Sequence, residues 1–288
     1  MRLPSWLTST LLWIVAFALT AASAVYQKIT GPSYPVRGVV RVAGQEIRFK
    51  LPRSHGGAGD AVVRIPTPDP AATAVMRWRR FRSRDPWMTR PLVRDKDALV
   101  ARIPHQPPAG KVMYQITLRA PDGTEYPLTK EPVIIRFRGG VPAWILITHV
   151  LFIFSGMFLS LRTGFEALRP EGSVRGLAIA TLVGLVVGGL VFGPLVQKYA
   201  FGAYWTGWPF GHDLTDNKIA VAIVFWVLAL WRGWQPARRN AARRWALIAS
   251  AVTLVVWLIP HSVLGSELDY TRIPSSAPAA TSSAPANA

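Results

Sequence analysis

The chain has 288 residues, half of them hydrophobic, with 12 Trp and no Cys. A mean hydropathy of +0.25 is high for a soluble globular chain and points to membrane segments. The missing cysteines exclude disulfides, thiolate metal sites, cysteine nucleophiles and covalently attached c-type haem. The formal net charge is +18 although only 17% of residues are charged, so the positive charge is concentrated and its location matters.

The first apolar run extends from Trp6 to about Val25, within a predicted N-terminal segment 1–28. Ala22-Ser23-Ala24 fits a signal-peptide cleavage site, whereas the length of the run and its Trp6 and Trp13 favour a retained anchor. Residues 33–139 then alternate as strands do. Ile47, Phe49 and Leu51 share one face with Arg48 and Lys50 on the other. Val112, Tyr114, Ile116 and Leu118 point inward, as do Val133, Ile135 and Phe137, with Arg136 and Arg138 outward. Period-two alternation with one polar face predicts half-buried antiparallel strands, about seven of them. The PDGT at 121–124 predicts a hairpin turn. In LPRSHGGAGD, 51–60, the glycines offer amides to an anion, but neither a phosphate-loop spacing nor a following helix is present, so a plain inter-strand loop is expected.

Within this region the run from Met76 to Gly123 resembles the latter half of an immunoglobulin- or fibronectin-III-like module. A strand with a core aromatic, Trp78, leads to a hairpin; a strand ending in Ile103-Pro104 follows, then a Pro/Gly turn and a strand carrying Tyr114, which resembles the corner tyrosine of such folds. The resemblance covers roughly 75–128 and implies an all-β sandwich. It implies no particular function, because such folds host many. Most of the net charge lies here, with Arg48, Arg77, Arg79, Arg136 and Arg138 on outward strand positions. Anionic lipid or an acidic partner protein suits this face, and nucleic acid is not expected outside a membrane.

Four further apolar runs follow at 141–161, 176–196, 219–231 and 245–259. The first two are long enough to cross a bilayer, while 219–231 is short and borrows its flanking aromatics at the interfaces. Together with the N-terminal run they predict a bundle of four or five transmembrane helices, with 141–262 as its main body. Arg162, Arg169 and Arg175 mark one loop as cytoplasmic; Arg232, Arg238, Arg239, Arg243 and Arg244 mark another. The expected arrangement, in a bacterial cytoplasmic membrane, has a cytoplasmic N-terminus and a periplasmic β-domain, loop 197–218 and C-terminus. Gly184-xxx-Gly188 and Gly189-xxx-Gly193 let helix backbones approach, within the bundle or against a partner.

The loop FGAYWTGWPFGHDLTDNK, 201–218, is broken by Gly202, Gly207, Pro209 and Gly211, and its Trp205 and Trp208 suit a membrane interface. Asp213 or Asp216 is a natural N-cap for the following helix. No paired carboxylates, HExxH or nucleophile elbow appears, so no catalytic residue is assigned. His149 is the one ionisable side chain well inside the four later runs, and an intramembrane ionisable residue is a functional candidate. With His212 or His261 it offers axial ligands for haem b, or a contact for a quinone; His212, Asp213 and Asp216 offer a metal set. Pro, Ala and Ser dominate the tail 263–288, which is expected to be disordered. The leading expectation is a non-enzymatic accessory or scaffold subunit of a larger membrane assembly. The alternative is a haem- or quinone-binding redox subunit.

Overall fold

A computed structural model describes residues 4–235, 238–260, 265 and 267–272. The chain divides into two units: a helical one, from the N-terminal helix and everything after Gly139 to the end of the last helix, and a β unit, Pro35–Arg138 with the described C-terminal residues 267–272. His261 and the tail 273–288 lie outside the described residues.

Eleven strands build the β unit: β1 (Val36–Val42), β2 (Gln45–Leu51), β3 (Ser54–Gly56), β4 (Ala61–Pro66), β5 (Thr73–Arg80), β6 (Met88–Pro91), β7 (Val93–Asp95), β8 (Ala98–Ile103), β9 (Lys111–Arg119), β10 (Glu125–Pro127) and β11 (Val133–Arg138). The count exceeds the expected seven because several strands are only three or four residues long, too short to show a period. β1 pairs with β2; β4-β8-β7 form a three-stranded sheet; β3-β11-β9-β5-β6 form the main sheet, with β10 also on β9. β3 is the correction to the glycine-rich loop: Ser54–Gly56 runs parallel to Arg136–Arg138 and satisfies the outer edge of β11.

The alternation read from the sequence sets the register. Ile47, Phe49 and Leu51 are buried, and Val112, Tyr114, Ile116, Leu118, Ile135, Phe137 and Trp78 are almost wholly enclosed in one core shared by the three sheets. Gly123, at φ +87°, closes the β9–β10 hairpin, a conformation that favours glycine. Tyr114 donates its hydroxyl to the Pro52 carbonyl at 2.8 Å, 62 positions away, so it bridges sheets and does not make the local upstream bond of a corner tyrosine.

Among the described residues the helical unit contains five helices long and apolar enough to cross a membrane. They are α1 (Ser5–Thr30), α2 (Ala143–Leu168), a third spanning Arg175–Phe201, α5 (Leu214–Arg232) and α6 (Arg239–Leu258). The third is composite: α3 (Arg175–Leu185), a π-helical stretch Val186–Phe192, and α4 (Gly193–Phe201) with Pro194 in its first turn, where a missing amide is tolerated. Every helix runs beyond its apolar run. Polar ends continue the helix wherever the bundle satisfies them, as at the α2 end, where buried Arg162 meets Glu166 at 2.7 Å and reaches Ser9 of α1 at 3.1 Å. Trp13 of α1 lies 5.0 Å from the same guanidinium, and Gln27 of α1 donates to the Trp257 carbonyl.

The glycine stripe of the third span is used inside the chain. A Cβ on Gly184 would lie 3.0 Å from the Gly156 backbone, one on Gly188 2.6 Å from Ile153 N, and one on Gly189 2.2 Å from the Ile219 side chain. Gly184 and Gly188 therefore pack α3 and the π stretch onto α2, and are not a surface for another protein. Gly188→Leu pushes a side chain into backbone, and overpacking of this kind costs about 1–3 kcal/mol. Its detergent-solubilised protein is expected to unfold several degrees below wild type, while Gly140→Ala, which meets nothing within 4 Å, leaves the midpoint unchanged.

At the end of β5 in the β unit, Arg80 and Asp85 form a buried pair, with bonds of 2.5 and 2.9 Å, and Tyr270 lies 4.8 Å over the guanidinium with its hydroxyl on Gln106 at 3.0 Å. The pair with Asp85 holds the Arg80 guanidinium charged. Burial pushes the Tyr270 phenol up to about 12 and raises Tyr114 as well. The folded state therefore holds both protons more tightly than the unfolded chain. Stability of the β unit is complete below pH ~10, the unfolded phenol value, and declines as pH rises from there toward 12. Thermal unfolding followed across that range is expected to show this decline, and Tyr270→Phe to reduce it.

Candidate functional site

Between α2, the composite third helix, α5 and α6 lies a cavity of about 240 Å³. Its walls are mostly aliphatic and aromatic, including Ile153, Leu185, Val196, Ile219, Val256 and Trp257. One end is polar: His149, Gln197, Asp213, Asp216 and Lys218 all line it. Asp213, Asp216 and Lys218 are each no more than 7% exposed.

The polar end is built by the way α5 begins. Asp213 caps the helix, its Oδ1 accepting from Thr215 N at 2.8 Å. One turn on, Asp216 Oδ2 accepts from the main-chain amides of Thr206 (2.7 Å) and Gly207 (3.0 Å), and Asn217 Oδ1 accepts from Trp208 N at 2.7 Å. Three successive loop amides thus end on two neighbouring side chains. Gln197 of α4 donates to Thr206 Oγ1 at 2.6 Å and ties the loop to the other side of the cavity. Gly207 is required here, since a Cβ would lie 2.7 Å from both Asn217 Oδ1 and the Asp216 side chain. Lys218 donates its ammonium to the Ile259 carbonyl at 2.5 Å, meeting a main-chain acceptor just past the end of α6.

His149 lies on α2, half-buried, with Nδ1 2.8 Å from the Gly188 carbonyl in the π stretch. A carbonyl only accepts, so Nδ1 carries the proton and Nε2 is the ring nitrogen left for the cavity. The widened helix and the histidine are one feature: Gly188 O also receives the Gly193 amide across the π turn.

The predicted sites separate accordingly. His149, Asp213 and Asp216 come together around one cavity, whereas His212 is exposed in the loop and is not among the lining residues. No His149–His212 ligand pair forms at the cavity. Among the described residues no group of three His, Asp or Glu side chains is placed to hold a metal ion, the set His212, Asp213 and Asp216 included. Trp205 is half-buried, its ring N–H on the Trp208 carbonyl at 3.2 Å, while Trp208 is 76% exposed at the loop tip. Arg48 and Arg138 are exposed on the β unit, Arg136 is half-buried on β11, and Arg77 and Arg79 lie 5.3 and 4.9 Å from the Trp87 ring.

Sequence reasoning missed Lys218 and Gln197 as cavity residues. It treated Lys218 as part of the external loop because the apolar run starts only at Ile219. The available signal was Asp213-x-x-Asp216-Asn217-Lys218 directly before that run: four polar residues within two helical turns, which places three of them on neighbouring faces. Comparison with protein-family models, with curated proteins and with solved structures found no match to this chain.

Removing the carboxylate that gathers the loop leaves two amides without acceptors. Asp216→Ala is expected to raise the hydrogen-exchange rates of the Thr206 and Gly207 amides at least about tenfold, the equivalent of about 1.4 kcal/mol. Exchange in β9 should not change, which a mass-spectrometric exchange experiment on the detergent-solubilised protein reads directly.

Proposed function

We propose that this chain is an integral membrane protein whose helical bundle binds a small amphipathic molecule with a single-ring polar head, of the quinone kind, and which carries an immunoglobulin-like β-sandwich outside the bilayer. The observation that carries the reading is the cavity: apolar walls, and a polar end made by His149, Gln197, Asp216 and Lys218. Buried ionisable groups are costly among membrane helices, and a mostly apolar pocket with a few converging polar groups is the form of a ligand site. A cavity of about 150 Å³ takes one benzene ring, so about 240 Å³ suits one substituted ring better than a porphyrin. In its reduced, dihydroxy form such a ring has one hydroxyl to donate to His149 Nε2, and its other oxygen accepts from the Lys218 ammonium.

The five apolar helices are read as spans, with the arginine-rich loops 162–175 and 232–244 in the cytoplasm of a bacterial cell and the β-domain and the 202–213 loop on the periplasmic side. α1 is read as a retained span, supported by the Ser9–Arg162 bond, the Trp13 contact and the full burial of Ala16. A second reading is an accessory subunit that presents the β-domain to a larger membrane assembly. The exposure of Trp208 and Phe210, 76% and 83%, favours it.

Protein purified in mild detergent, extracted with organic solvent and analysed by mass spectrometry, is expected to release a single-ring lipid-soluble compound whose near-ultraviolet spectrum changes on reduction, with no Soret band. His149→Ala and Lys218→Met should each lower its occupancy about tenfold or more, with the thermal midpoint of the apoprotein kept within a few degrees. A Soret band would overturn the ring assignment. Protein that carries no such compound and binds none when it is added leaves the accessory reading in its place.

A further inference from the structure

The β unit is electrically lopsided, and strand register shows which way. β5 and β11 both run antiparallel to β9, so Lys111 lies opposite Arg136 at one end of the main sheet, and Arg79, opposite Met113, lies two residues further along. Arg82 and Arg84 follow directly in the β5–β6 connection, and Arg138 ends β11. Of the nine carboxylates in residues 35–138, only Asp60 and Asp85 lie at this end. Asp85 is consumed by Arg80, and Asp60 accepts from the His105 amide. Glu267, from the C-terminal segment, bridges Lys111 and Arg82. The opposite turns hold Glu46, Asp69, Asp95, Asp97, Asp122 and Glu125, partly balanced by Arg41, Arg64 and Arg119, and the ninth, Glu131, lies just before the start of β11.

The basic end is also the tethered end. β11 leads to α2 through the four residues 139–142, and α1 leads to β1 through the five residues 31–35. Gly139, next after Arg138, already gives its amide to the Ala200 carbonyl near the end of α4, at 2.9 Å. A four-residue link spans at most ~14 Å, and that bounds the reach of the chain between Arg138 and the start of α2.

We propose that this rim binds the anionic phospholipid headgroups of the leaflet it faces. The inference rests on the helices being membrane spans. Among the described residues Arg77 and Arg79 have no carboxylate within ion-pair distance, and both guanidiniums are stacked on Trp87. Arg79 Nε also donates to Met113 Sδ at 3.2 Å, and stacking orients the forks so that the terminal N–H groups reach phosphate oxygens in pairs. An indole beside arginines suits a layer that is apolar on one side and wet on the other. Both chain links to the apolar helices, 31–35 and 139–142, are at most five residues long, and this favours a headgroup layer over an acidic protein.

The absence of cysteine makes the test direct. Full-length protein carrying a fluorophore at Pro86→Cys, beside Trp87, or at Thr124→Cys, in the β9–β10 turn, is placed in nanodiscs containing a headgroup-spin-labelled lipid. The label at 86 is expected to be quenched about threefold more in discs rich in phosphatidylglycerol than in phosphatidylcholine alone. The difference should shrink in about 1 M salt, where the Debye length falls to ~3 Å, and the label at 124 should stay unquenched. Arg79→Glu with Arg138→Glu should abolish the difference while leaving the thermal midpoint in detergent unchanged. Equal quenching at 86 in both lipids, or equal quenching at 86 and 124, overturns the proposal. Quenching that requires added membrane proteins assigns the rim to a protein partner instead. A chain that does not enter the discs at all fails the membrane reading itself, a result distinct from the others.

Discussion

The organisation of the helical unit depends on one constraint: main-chain amides beside an apolar layer must find acceptors, because leaving one unpaired there costs as much as losing a hydrogen bond. The 202–213 loop turns through glycines and a proline; the amides of Phe210, Gly211 and Asp213 bond within it, while those of Thr206, Gly207 and Trp208 reach outside it. Asp216 and Asn217 supply the missing acceptors from the first turns of α5. This is why a helix begins with two carboxylates and an amide, why Gly207 must be small, and why the cavity beneath has a polar end. The same residues serve the fold of the loop and the lining of the cavity. Neither role can be varied without the other.

Much of the architecture was legible from residue pattern. Alternation in the β2, β9 and β11 sequences named the inward residues, and those residues form the core because a strand with one wet face can bury only every second side chain. The five apolar helices were legible for a similar reason: few charges interrupt them. What could not be read depends on contacts distant in sequence. β3 exists because Arg136–Arg138 offers it an edge, which no feature of 51–60 announces. The π stretch depends on the fit of Gly188 against Ile153 and on His149 reaching its carbonyl. His149 was visible as an ionisable residue in an apolar run. Lys218 was not, since its acceptor, the Ile259 carbonyl, lies 41 residues away.

The β unit solves a different problem. Its charges are too many to neutralise locally, and they are sorted by register, with ion pairs such as Arg64–Asp95 and Arg119–Glu125 at the far turns and a surplus of arginine at the tether. The buried Arg80–Asp85 pair under Tyr270 is the exception that holds this end together. It binds the segment after α6 back onto the sheet, so that the unit is assembled from two separated parts of the chain.

The π stretch sets the rotational phase of everything after it. A regular helix advances about 100° per residue, and a wide turn amounts to about one extra residue inserted without changing direction. The same residues wound as a regular helix between Val186 and Phe192 would still form an apolar helix of nearly the same length. Its α4 would be turned by roughly a quarter of a revolution, carrying Gln197 away from Thr206 and the cavity wall. Length and hydropathy would record no change, while the one side chain that joins α4 to the loop would point elsewhere.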